Sequence, residues 1–155
     1  MNDLLQPAKA SDGTNRSGRP IEVRPHPHVD RLACAWLIRR FINPKAFIRY
    51  SDTFKPAEIP FDMKGVQFGH QGNFCSFETM IHAFNFQDSG LQALAEIVHE
   101  IDLKDGSYLR PEVDGITTIL SGWRLAGFSD AKLESHGISL FEGLYRVLNH
   151  EKKTK

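Results

Sequence analysis

Two short stretches hold residues whose types and spacing could do chemistry together. In "HPHVDR", residues 26 to 31, His28 stands two positions before Asp30; in "HEIDLK", residues 99 to 104, His99 stands three before Asp102. Imidazole nitrogens and carboxylate oxygens are the donors that suit zinc, iron or manganese, so His28, Asp30, His99 and Asp102 together could form a metal or catalytic cluster. Glu78 and His70 are the expected additional donors, Glu78 beside the apolar Phe77 and Ile81, His70 between Gly69 and Gly72 in a turn. Cations accompany both stretches. Arg31 follows Asp30 in the first turn of a helix, where unsatisfied N–H groups favour an anion, and Lys104 follows Asp102; both are candidates for anion binding. Arg110 is a weaker third.

The physical case for a site comes from the helices that would carry these groups. At about 100° per residue, Leu91, Leu94, Ala95 and Val98 share one side of a helix, and Asp102 projects from the middle of that side. Asp30 likewise heads a face made of Ala33, Cys34, Leu37 and Phe41. An isolated carboxylate in apolar surroundings carries a desolvation cost of several kcal/mol, so each aspartate needs a partner: a metal, a histidine, or an arginine in a purely structural pairing. Remaining candidates are less specific. Glu96 and His99 have the Glu-x-x-His spacing of di-iron bundles, but the sequence lacks a second copy. His82, His136 and His150 read as surface residues, His26 as either a ligand or an exposed side chain, Cys34 as core, and Cys75, near a turn, as the more reactive thiol.

The elements follow from periodicity and caps. Helix 1 is expected from His28 or Val29 to Ile42, stopped by Pro44. "AFIRY", residues 46 to 50, reads as a strand, and "IPFDMKGVQFGHQGNFCSF" as a small sheet or hairpin. Ser76 caps a helix with stripe Phe77, Met80, Ile81 and Phe84; Asp88 or Ser89 caps the next. Pro111 opens a fourth helix closed by Gly127, and Asp130 opens the last, with Gly137 leaving its first turns uncertain. The expectation is an α+β fold, mainly α, of about five helices with a small sheet between helices 1 and 2. Residues 1–22, rich in Ser, Gly and Asn, read as a flexible leader, and 23–150 as a single domain.

Composition limits the partners. A chain of 155 residues, 41% hydrophobic with 11 Phe, can bury a real core. Nineteen basic residues against nineteen acidic give no basic footprint, so direct nucleic-acid binding is not expected. No apolar run nears the roughly 20 residues of a membrane span. Two cysteines 41 positions apart suggest a reducing, cytoplasmic setting rather than a disulfide framework.

Four stretches, "RPHPHVDRLACAWLIRRFINPKAFI", "PFDMKGVQFGHQGNFCSFETM", "AEIVHEIDLKDGSYLRPEVDGI" and "ISLFEGLYRVL", taken in order over roughly residues 22 to 148, resemble the carboxy-terminal domain of the chromate resistance protein ChrB. The resemblance implies a domain of chromate-resistance operons, where full-length ChrB is a chromate-responsive regulator, and one also found joined to rhodanese-like domains. The amino-terminal, DNA-binding-type half is absent from this sequence. Carried over position by position, the family pattern covers His28, Asp30, Arg31, His70, Glu78, His99, Asp102 and Lys104. Three functions stay open: a sensory domain whose metal site or cationic pocket takes a small anion such as chromate and reports to a protein partner; a metal-dependent enzyme, hydrolytic or redox, acting on a small anion; or a structural interaction domain without metal.

Overall fold

The computed structural model describes residues 29–51, 53 and 55–153. The expected leader, residues 1–22, and both His26 and His28 lie outside them.

Helix α1, Val29–Leu37, is the axis of the core: all nine of its residues are buried, Asp30 and Arg31 included. It passes directly into a π-helical segment, Ile38–Ile42, whose wider turn is closed by the Asn43 amide on the Ile38 carbonyl at 2.7 Å. The stop is where Pro44 demands it, since the residue before proline is driven from helical to extended geometry. Helices α2 (Ser76–Ala83), α3 (Ser89–Leu103) and α5 (Asp130–Lys153) pack around α1, while α4 (Glu112–Leu125) packs against α3. Asp88 caps α3 by accepting the Leu91 amide at 2.8 Å. Gly137 does not interrupt α5. Its missing side chain is what lets α1 approach, because a Cβ there would stand 3.2 Å from the Leu32 Cβ. Trp36, fully buried, donates its indole N–H to Glu142 of α5 at 3.1 Å, so the largest core side chain also satisfies its one polar group.

The small sheet expected between the first two helices is absent. Among the described residues there is no strand, only two isolated bridges, Phe61 with Phe68 and Gln71 with Phe74. The chain turns too often for a ladder: Asp62, Gly65 and Gly72 all take positive φ (50°, 76° and 57°). The apolar pieces act as single anchors, Phe61 and Phe68 entering the core one at a time. Residues 46–50 keep the alternation that suggested a strand, with Ala46 and Ile48 buried and Phe47 exposed, but they form no ladder. The fold is therefore helical, with one long irregular connection from α1 to α2.

Candidate functional site

Asp30 is 2% exposed and is held by the start of α2. The Ser76 amide donates to its Oδ2 at 2.7 Å and the Phe77 amide to its Oδ1 at 2.8 Å. These are amides that a helix leaves unsatisfied at its amino terminus, and the positive end of the α2 dipole favours the carboxylate there. The aspartate that looked misplaced on an apolar face thus joins α1 to α2.

The irregular connection brings two more groups to it. His70 places Nε2 3.2 Å from Asp30 Oδ2 and 3.0 Å from Asp102 Oδ2, bridging α1 and the last turn of α3. The bend that delivers it depends on Gly69, where a Cβ would lie 2.3 Å from the Met63 carbonyl oxygen. Asp62, at φ 50°, accepts the Ser76 hydroxyl at 3.1 Å and pairs with the buried Arg31 at 3.2 Å. One donor atom each from Asp30, Asp62 and His70 lie within 4.8 Å of one another. Three carboxylates, counting Asp102, face two cations, Arg31 and a protonated His70. The hydrogen bond to Asp30 raises the His70 pKa to about 8, against the opposing effect of partial burial and with further help from the charges of Asp30, Asp102 and Asp62.

His99 and Glu78 form a different pairing. His99, 3% exposed, sets Nδ1 2.7 Å from Glu78 Oε2 and Nε2 3.0 Å from Asp105 Oδ2. With a carboxylate oxygen at each ring nitrogen, the doubly protonated ring satisfies both partners. Burial works against that charge, yet the hydrogen bonds to Glu78 and Asp105 outweigh it and the pKa is raised. Glu78 also accepts the Cys75 amide at 2.9 Å, so it caps α2 while holding α3.

The family model described as "ChrB, C-terminal domain" matches residues 23–148. The chain belongs to the ChrB C-terminal domain family. It is 35% identical over 147 residues to "Protein ChrB" of Cupriavidus metallidurans strain CH34, an alignment that covers 92% of this chain and 44% of that protein. The chain thus spans less than half the length of this curated relative. No solved structure matches it.

In this ChrB C-terminal domain, the expected donors therefore separate. Asp30, Asp102 and His70 come together, Glu78 and His99 face each other, and His28 lies outside the described residues. Arg31 is turned to Asp62, and Lys104 is exposed, with left-handed geometry at the end of α3. Glu96 faces Arg110 at 3.6 Å rather than serving in a Glu-x-x-His pair. His82 lies edge-on to Phe74, and His136 donates to the Lys132 carbonyl. Cys75 is as buried as Cys34, and burial pushes both thiols far above their ordinary range, which corrects the expectation of a reactive Cys75. Asp62 and Asp105 were missed. Each sits in a loop without hydrophobic period, so only its Gly-rich surroundings could have marked it.

Proposed function

We propose that this domain serves chromate response by binding a divalent transition metal, zinc, iron or manganese, at His70, Asp30 and Asp62, with Asp102 as a fourth donor. The observation that carries the reading is the convergence of donor atoms from Asp30, Asp62 and His70 within 4.8 Å. The donor set fits: one borderline nitrogen and hard carboxylate oxygens suit these ions, and three carboxylates against one arginine leave room for more positive charge. In the absence of an ion, the His70 proton fills that role between Asp30 and Asp102. His70 and Asp102, with side chains 44% and 20% exposed, form the open side of the site. A metal held there would supply coordination positions for a small oxyanion such as chromate. Arg31 holds Asp62 in place, and Asp30 fixes α2 relative to the site.

The experiment is calorimetry of untagged protein with Zn, Mn or Fe(II), followed by chromate titration of the metal-loaded and metal-free forms. Micromolar or tighter metal binding, weakened about tenfold or more by Asp102→Asn and His70→Ala, is expected, with chromate binding confined to the loaded form. Absence of metal binding at micromolar concentration, or equal binding by His70→Ala, defeats the metal site. Equal chromate binding with and without metal defeats the link between the two.

A further inference from the structure

Ser76 is not a donor to the proposed ion, yet it touches two residues that are. It is fully buried at the start of α2. Its amide donates to Asp30 Oδ2 at 2.7 Å and its hydroxyl to Asp62 Oδ1 at 3.1 Å. One of these carboxylates belongs to α1 and the other to the irregular connection, so the two halves of the site meet at Ser76.

The connection reaches Ser76 as a closed turn. The Asp62 amide donates to the Phe68 carbonyl at 3.0 Å and the Gly69 amide to the Val66 carbonyl at 3.1 Å. The Gln71 side chain adds a bond to the Val66 carbonyl at 3.2 Å, and Phe61 and Phe68, bridged to each other, are buried. Asp62 and His70, at the two ends of this turn, therefore move together. Asp62 holds a φ of 50°, which a residue other than glycine seldom adopts unless its surroundings hold it there. Its carboxylate is gripped at both oxygens, by the Ser76 hydroxyl and by Arg31.

Asp30 is fixed independently of that turn. A carboxylate has about four lone-pair sites. Asp30 Oδ1 meets the Phe77 amide and, at 4.0 Å, the Cys34 thiol; Oδ2 meets the Ser76 amide and His70. Of these partners only His70 can give way to an ion without opening the core or the start of α2. Asp30 thus offers one oxygen in one direction, and the other donors must be brought to it.

We infer, resting on the metal site proposed for these donors, that Ser76 is its positioning residue: the hydroxyl seats the turn carrying Asp62 and His70 against the fixed carboxylate of Asp30. Ser76 acts through Asp62 and does not touch the ion. Hydrogen bonds of this kind to ligating carboxylates are worth about 10- to 100-fold in metal affinity.

The test is calorimetric titration with zinc, together with cobalt(II) absorption spectra and melting temperatures, on untagged wild type, Ser76→Ala, Ser76→Thr and Thr79→Ala. Thr79 spends its hydroxyl on the Cys75 carbonyl at 3.1 Å, so its loss loosens the same helix without touching the site. Ser76→Ala should weaken zinc binding about tenfold or more and change the cobalt spectrum, whose shape follows ligand geometry. Thr79→Ala should do neither, whatever it costs in melting temperature. Ser76→Thr, which keeps the hydroxyl, should bind nearly as wild type; if its extra methyl prevents folding, the contrast between Ser76→Ala and Thr79→Ala decides. Wild-type zinc affinity or an unaltered cobalt spectrum in Ser76→Ala overturns the inference and leaves the metal site standing. Equal weakening by Thr79→Ala, or by a folded Ser76→Thr, also overturns it. Cobalt exceeds manganese and iron in affinity at such donors, so wild type that takes up neither zinc nor cobalt at micromolar concentration overturns both the metal site and the role of Ser76.

Discussion

Asp30 and Asp102 both reach His70, yet their burial separates what each contributes. Asp30 accepts two helix-terminal amides in the core, and Asn in its place would set an amide N–H₂ against those donors. Asp30→Asn should therefore lower unfolding free energy by roughly 3 kcal/mol in urea denaturation, the scale of a broken buried charge pairing. Asp102→Asn, nearer the surface, should cost less than about 1 kcal/mol and act mainly on ligand binding. His70 and His99 give a pH dependence of defined sign. Both have folded pKa values above the ordinary 6.5, His70 at about 8. Their stabilisation is full below about pH 6.5 and lost as pH rises through the folded values. In metal-free protein the His70 ring should titrate near 8 by NMR, and Asp102→Asn should move it down. The cost of His99→Gln should be larger at pH 6 than at pH 9, measured by thermal melts at both.

The elements make a sharper contrast through two glycines of α5. Gly137 faces Leu32, whose Cβ would lie only 3.2 Å from an added Cβ, whereas Gly143 faces open space. Alanine gains up to about 1 kcal/mol of helix propensity at either position. At 137 that gain is offset by overpacking of about 1–3 kcal/mol, because the opposing atom is a Cβ fixed to the buried backbone of α1. Gly143→Ala should raise the melting temperature and Gly137→Ala should lower it; equal shifts would refute the close contact of α1 with α5. Sequence periodicity located the helices of the described residues within a few positions and marked the Pro111 and Asp130 starts, with Asp88 or Ser89 as the cap of α3. It could not show that helix 1 finishes as a π turn, since a five-residue offset in hydrogen bonding leaves no mark in the pattern of apolar residues.

At the scale of the whole molecule, stability should be uneven. Helix α1 is buried along its entire length, while α4 rests on α3 and buries only Ile116 and Leu120 fully. Exchange of α4 amides should accordingly proceed through local opening well below the global unfolding energy, and α1 should exchange only with global unfolding. Equal protection of the two helices under native conditions would show that α4 is held by more than its α3 contacts. No helix among the described residues is long and apolar enough to cross a membrane.

What the residues determined on their own was local or periodic: helix positions, caps, the apolar faces, and the rule that Asp30 and Asp102 on those faces need partners. The four family-like stretches likewise depend only on order along the chain. The tertiary structure decided which partner each charge receives. His99 lies three residues from Asp102, only about 60° round α3, and could have shared its ligand, but Glu78 of α2 and Asp105 beyond the end of α3 take its two ring nitrogens instead. His70 and Asp62 reach Asp30 through turns set by positive-φ residues and by Gly69, and the pairing of loop residues 32 and 40 positions away in sequence leaves no periodic trace. The missing sheet has the same origin. Alternation in residues 46–50 fixes which side chains are buried, whereas a ladder needs a second segment alongside, and that is a property of the folded chain rather than of the segment.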